Sequence, residues 1–81
     1  MKSTPYDRYL KKLGNNLRRI RKERGLSMET LANETEIEYR QIGRIERGEV
    51  NTTIISLLRI AEILKVEIKI FFEFDKVDMP D

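Results

Sequence analysis

The sequence predicts an all-α domain, and two features of its patterning carry that prediction. Apolar residues recur at three- and four-residue spacing along most of the chain, the period of one helix face. Between those runs stand residues that start and stop helices: Gly25, Ser27, Gly48 and the cluster Asn51-Thr52-Thr53. A chain of 81 residues supports one compact core and leaves nothing for a second.

Leu10, Leu13, Leu17 and Ile20 form the apolar stripe of a first helix. Thr4 followed by Pro5 reads as its N-cap and first turn, with Asp7 placed to favour the positive end of the helix dipole. Gly14-Asn15-Asn16 is a weak spot in it, a kink or a restart, and Gly25 supplies the left-handed residue that ends it. Ser27 caps a short second helix that turns Leu31 and Ala32 inward and ends near Thr35. Ile37 is the apolar residue of the following turn. A third helix buries Ile42 and Ile45 and stops at Gly48; a fourth, opened by Asn51-Thr52-Thr53, has Ile54, Leu57, Leu58, Ala61 and Leu64 as its expected inner face.

The segment Val66–Phe74 is ambiguous. Val66, Ile68, Ile70, Phe72 and Phe74 alternate with charged residues, the period of a strand, and only Phe71 breaks the alternation. A short helix is the competing reading. Residues 75–81 are acidic with a late proline and read as a frayed tail.

A composition of 40% apolar and 37% charged residues suits a small soluble helical domain and is too apolar for a disordered chain. No apolar run is long enough to span a membrane, and the N-terminus lacks the apolar core of a secretory signal. Cysteine is absent, which removes disulfides and thiolate metal sites and fits a cytoplasmic chain. There is no histidine, no glycine-rich phosphate loop and no pairing of carboxylates, so an enzyme is not expected. The net charge of +2 hides an asymmetry: residues 1–24 carry nine Lys or Arg against Asp7 and Glu23, whereas residues 25–81 carry seven bases against twelve acids. A basic half joined to an acidic one suits a polyanion partner, although a solvated helix face gives the same pattern.

Two short helices joined by a tight turn with an apolar residue, a glycine stop and a basic first helix are the ingredients of a helix-turn-helix, in which the second helix enters the major groove of DNA. The run Leu26-Ser27-Met28-Glu29-Thr30-Leu31-Ala32, then Ile37, then Ile42-Gly43-Arg44-Ile45-Glu46-Arg47-Gly48, then Leu57-Leu58-Arg59-Ile60-Ala61-Glu62-Ile63-Leu64, resembles the phage-repressor-like family (Cro/C1 or Xre type) over about residues 13–74. The resemblance implies a compact five-helix bundle. Residues 1–12 are then an N-terminal extension of the first helix, 13–74 the DNA-binding domain and 75–81 a tail.

The resemblance also implies roles. Arg21 and Glu46 match a salt bridge tying the first helix to the recognition helix, here Tyr39 to Arg47. Tyr39, Arg40, Gln41 and Arg44 match positions that reach base edges, Arg being suited to guanine and Gln to adenine. Tyr39 reads equally as a half-buried edge residue. Arg47, Asn51 and Thr52, with the backbone amides at Met28 and Thr53, match phosphate contacts. Arg19 and Lys22 add long-range attraction. Met28 stands where the family usually has a bracing glutamine, and Glu36 where the turn often has glycine, which leaves one phosphate contact and the shape of the turn open.

Leu64-Lys65-Val66 followed by Phe71-Phe72-Glu73-Phe74 is similar to the fifth helix of the restriction–modification controller branch, whereas some antitoxin-like relatives end in a strand. Either ending implies self-association through Ile55, Ile63, Ile68, Ile70, Phe72 and Phe74, more apolar surface than so small a bundle buries alone. The expectation is a transcriptional regulator that binds a palindromic operator in double-stranded DNA as a homodimer, without cofactor or metal. The alternative is an antitoxin whose main partner is a toxin; polymerase is the other protein partner such a regulator would meet.

Overall fold

A computed structural model describes residues 4–74, and all of its regular structure is helical. Four α-helices, α1 (Asp7–Glu23), α2 (Met28–Thr35), α3 (Tyr39–Glu46) and α4 (Ile54–Leu64), are followed by a 3-10 turn, Ile68–Phe72. One core joins them, built from Leu17, Ile20, Leu31, Ile42, Ile45, Leu57, Ile60, Leu64 and Phe71. The tail expected over 75–81 lies outside the described residues. None of the described helices is long and apolar enough to cross a membrane.

The first helix begins later than the Thr4-Pro5 pair suggests. Thr4 Oγ1 accepts the Tyr6 amide at 3.2 Å and donates to Asp7 Oδ1 at 2.9 Å, so the threonine closes a turn ahead of the helix. Beyond that point α1 runs unbroken through Gly14-Asn15-Asn16. These residues are not a weak spot but two points of attachment. Gly14 is buried where α1 crosses the end of α3: a Cβ there would come closer than 3.0 Å to the carbonyl oxygens of Ile45 and Glu46. Asn16 is buried as well, and its amide nitrogen donates to the carbonyls of Ile70 (2.9 Å), Phe71 (3.2 Å) and Glu73 (3.1 Å).

Those bonds explain the C-terminal segment. The strand reading is not realised: no strand is present among the described residues, and the fifth element is a single 3-10 turn. Its amides bond locally, Ile70 to the Glu67 carbonyl and Glu73 to that of Ile70, and Asn16 satisfies carbonyls that a strand would offer to a neighbour. With three residues per turn, Ile68 and Phe71 fall on one side. Phe71, which breaks the alternation, is the aromatic that is wholly buried, whereas Phe72 is 46% exposed.

A second shift concerns α4. Its buried residues are Leu57, Ile60, Ala61 and Leu64, and the expected inner positions Ile54 and Leu58 are 59% and 44% exposed. At about 100° per residue the buried stripe is centred between Leu57 and Ile60, which puts Ile54 and Leu58 on its flank beside exposed Ile55. Ile54 and Phe72 line an apolar hollow of about 220 Å³ together with Tyr9, Leu10, Leu13 and Phe74.

Candidate nucleic-acid interface

The paired helices α2 and α3 are set by local chemistry. Ser27 Oγ accepts the Thr30 amide at 3.0 Å and opens α2. Thr35, buried at the other end, donates its hydroxyl to the Leu31 carbonyl at 2.7 Å and accepts the Ile37 amide at 3.3 Å. Glu36 takes the left-handed conformation itself, at φ 60°, so the turn keeps the shape that glycine would give it, at a strain of about 1 kcal/mol. Half-buried Ile37 packs on the core, and Ile42 and Ile45 bury the inner side of α3.

The opposite side of α3 faces outward. Arg40 and Arg44, four residues apart on one face, are both exposed; Tyr39 is exposed beside them and Gln41 is half-buried. Behind this face Arg21 and Glu46 meet in a buried, two-pronged pair, with Nε to Oε2 at 2.6 Å and Nη2 to Oε1 at 3.1 Å. The remaining arm of Arg21 donates to the Leu26 carbonyl at 2.8 Å. One guanidinium therefore joins α1, the chain entering α2 and the end of α3, and every buried side-chain nitrogen and oxygen among the described residues has a hydrogen-bond partner.

The residues around this face divide by surroundings. Met28 is half-buried and its methyl group lies against Gly43 of α3, where an added Cβ would be 3.2 Å away. Packing thus replaces the amide brace at this position. Thr53 Oγ1 is occupied in capping α4, accepting the Ser56 amide at 3.1 Å. Asn51, exposed, and Thr52, half-buried, both border the apolar hollow. Arg19 is paired with Glu23 at 3.0 Å and also bonds to Asn16.

Arg47 caps α3 and is held by Glu49, with Nε to Oε2 at 2.9 Å and Nη2 to Oε1 at 3.3 Å. The bond from Arg47 draws the Glu49 carboxyl below the usual carboxylate range, and the nearby charges of Arg44 and Lys11 act in the same sense. Arg47 is correspondingly pushed above its ordinary value by Glu49. Sequence reasoning missed Gly14, Asn16 and Glu49. A glycine followed by asparagines inside an apolar stripe is a signal for the first two; nothing local marks the third.

A short capped helix, a tight left-handed turn and a second helix with an arginine-bearing outer face, locked from behind by a buried ion pair, define a helix-turn-helix DNA-binding domain. The helix-turn-helix family model matches residues 17–71, and the chain belongs to that family of DNA-binding transcriptional regulators, which are not enzymes. It is 34% identical over 56 residues, 69% of this chain and 73% of the other, to the uncharacterized HTH-type transcriptional regulator y4dJ of Sinorhizobium fredii. Among solved structures it is similar to the restriction-modification controller protein C.AhdI from Aeromonas hydrophila (TM-score 0.76, 36% identity, 78% of this chain and 96% of that one). It is also similar to a tyrosine-to-phenylalanine mutant of the restriction-modification controller protein C.Esp1396I (TM-score 0.73, 36% identity, 90% and 87%).

Proposed function

We propose that this protein is a sequence-specific regulator that binds a palindromic operator in double-stranded DNA as a symmetric homodimer. The observation that carries the reading is the exposed Arg40–Arg44 face of α3, made rigid by the buried Arg21–Glu46 pair beneath it. Arginine forks match guanine O6 and N7 in the major groove, and in this reading Arg47, Asn51, Thr52 and the amides at Met28 and Thr53 serve as the phosphate contacts that the family resemblance implies. The reading implies a cytoplasmic protein.

Selection of binding sites from random duplex DNA tests it, the expected product being an inverted repeat with half-sites about one helical turn apart. Arg40→Ala and Arg44→Ala should each weaken binding to the selected site by about 1–3 kcal/mol and relax preference at one base pair. Arg47→Ala should weaken all duplexes alike and lower the salt slope by about one unit. Unchanged affinity in all three variants would remove the groove assignment.

Self-association is supported by Ile54, Ile55, Leu58 and Phe72, which stay exposed along one flank of α4 and the rim of the adjoining hollow. Of the other apolar positions expected at an interface, Ile63, Ile68, Ile70 and Phe74 are half-buried and pack partly on the core. Sedimentation at micromolar concentration should show a dimer, and Ile55→Lys should give a folded monomer. A wild-type monomer at high micromolar concentration would count against the dimer.

A further inference from the structure

We propose that Glu49 is a built-in competitor for the DNA backbone, holding the Arg47 guanidinium in the place a phosphate would take. The inference rests on the DNA-binding reading above. A carboxylate that meets both Nε and Nη2 of an arginine reproduces the two-pronged geometry with which the same fork grips a phosphate.

The fold brings the two residues side by side. The Gly48 amide donates to the Ile45 carbonyl at 3.1 Å and the Glu49 amide to the Arg44 carbonyl at 2.9 Å, the paired bonds that close a helix end with a left-handed glycine. Gly48 sits at φ +69°, and a Cβ on it would lie 2.6 Å from Lys11 Cα. The chain after α3 is thereby pressed onto the backbone of α1 and Glu49 has a fixed starting point. From the other side, Arg47 lies back along α3: a Cβ on Gly43 would lie 2.9 Å from Arg47 Nη1, beside the Met28 methyl group. Lys11 and Arg44 also act on the Glu49 carboxylate, so it stands among cations bordering the reading face.

Contact between Arg47 and DNA then requires exchange of one anion for another. The exchange is blind to sequence, because a phosphate carries no base information. Its consequence is to weaken the grip on any duplex, which lowers the share of protein held on non-operator DNA.

The test measures binding of the full chain to its selected operator and to a scrambled duplex over a salt series. Glu49→Gln should tighten both by about 2–5-fold near 0.1 M salt and steepen the salt slope by up to about one unit. Glu49→Asp keeps the charge but withdraws the carboxylate, and should tighten both in part. In an Arg47→Ala background the Glu49→Gln gain should shrink to less than about 2-fold, since the competition has lost its object. Thermal melting of the Glu49 variants should fall by a few degrees at most, in keeping with an exposed pair. An equal gain from Glu49→Gln with and without Arg47 would overturn the proposal, leaving only the removal of a distant negative charge. If Arg47→Ala weakens binding and Glu49→Gln does nothing, the competitor fails while the DNA-binding reading stands. If the wild type selects no duplex and Arg47→Ala changes nothing, both fall.

Discussion

Gly14→Ala is expected to destabilise the domain by about 2–3 kcal/mol, although the same change in an exposed helix interior stabilises by about 1 kcal/mol. The sign reverses because of what lies opposite. The new methyl group would overlap the backbone carbonyls of Ile45 and Glu46, at the end of α3. Neither obstacle can rotate aside, since both belong to a helix main chain whose other face is locked by Ile42 and Ile45 in the core. Relief therefore requires α1 and α3 to separate, opening the close approach that also brings Arg21 to Glu46. For a domain of this size each kcal/mol lowers the melting temperature by about 4–8 °C, so the effect is easily read. Asn15→Ala, at the exposed neighbouring position, is the control and should melt near the wild type. DNA affinity should fall with Gly14→Ala even below its melting range, because the reading helix is displaced. A Gly14→Ala protein that melts at or above the wild type would show that the two helices are not held so closely.

The contrast between Gly14 and Ser27 shows what the sequence discloses. Ser27 and Thr53 act on amides three residues away, so the caps of α2 and α4 can be read locally, as can the burial of Leu17, Leu31, Ile42 and Leu57. Gly14 and Asn16 act on residues far along the chain, at the end of α3 and beyond α4, and taken alone they look like helix defects. The Val66–Phe74 alternation misleads for the same reason. Period-2 patterning describes a strand only if a partner accepts its ladder, and here Asn16 takes three of the carbonyls from across the fold. On α4 the apolar residues outnumber the places in the core, so spacing alone does not tell buried Ile60 from exposed Ile54. The positions proposed to touch DNA come from family resemblance; the structure adds which of them are exposed and what braces them.

Removing either partner of the Arg21–Glu46 pair is expected to be the most damaging polar substitution in the protein. Glu46→Ala leaves a guanidinium buried with two of its donors unmatched, and Arg21→Ala leaves a buried carboxylate without the two bonds it accepts. Each should lower stability by about 3–5 kcal/mol. The two side chains are only 7% and 4% exposed, so water cannot take over the lost bonds without opening the contact between α1 and α3. The double variant Arg21→Met with Glu46→Leu removes both charges at roughly constant volume. It should recover much of the loss and end within about 2 kcal/mol of the wild type, far short of the two single losses together, because the pair's own attraction is largely offset by desolvation. What it should not recover is DNA affinity. The pair and the Leu26 bond fix the angle of α3 relative to α1 and to the start of α2, and two apolar chains pack without that direction. Denaturant melts of the four proteins, together with operator binding by the double variant, separate the two effects. A double variant that loses as much as the two single variants together would mean that Arg21 and Glu46 act independently. A double variant that binds the operator as tightly as the wild type would mean that apolar packing alone orients the reading helix.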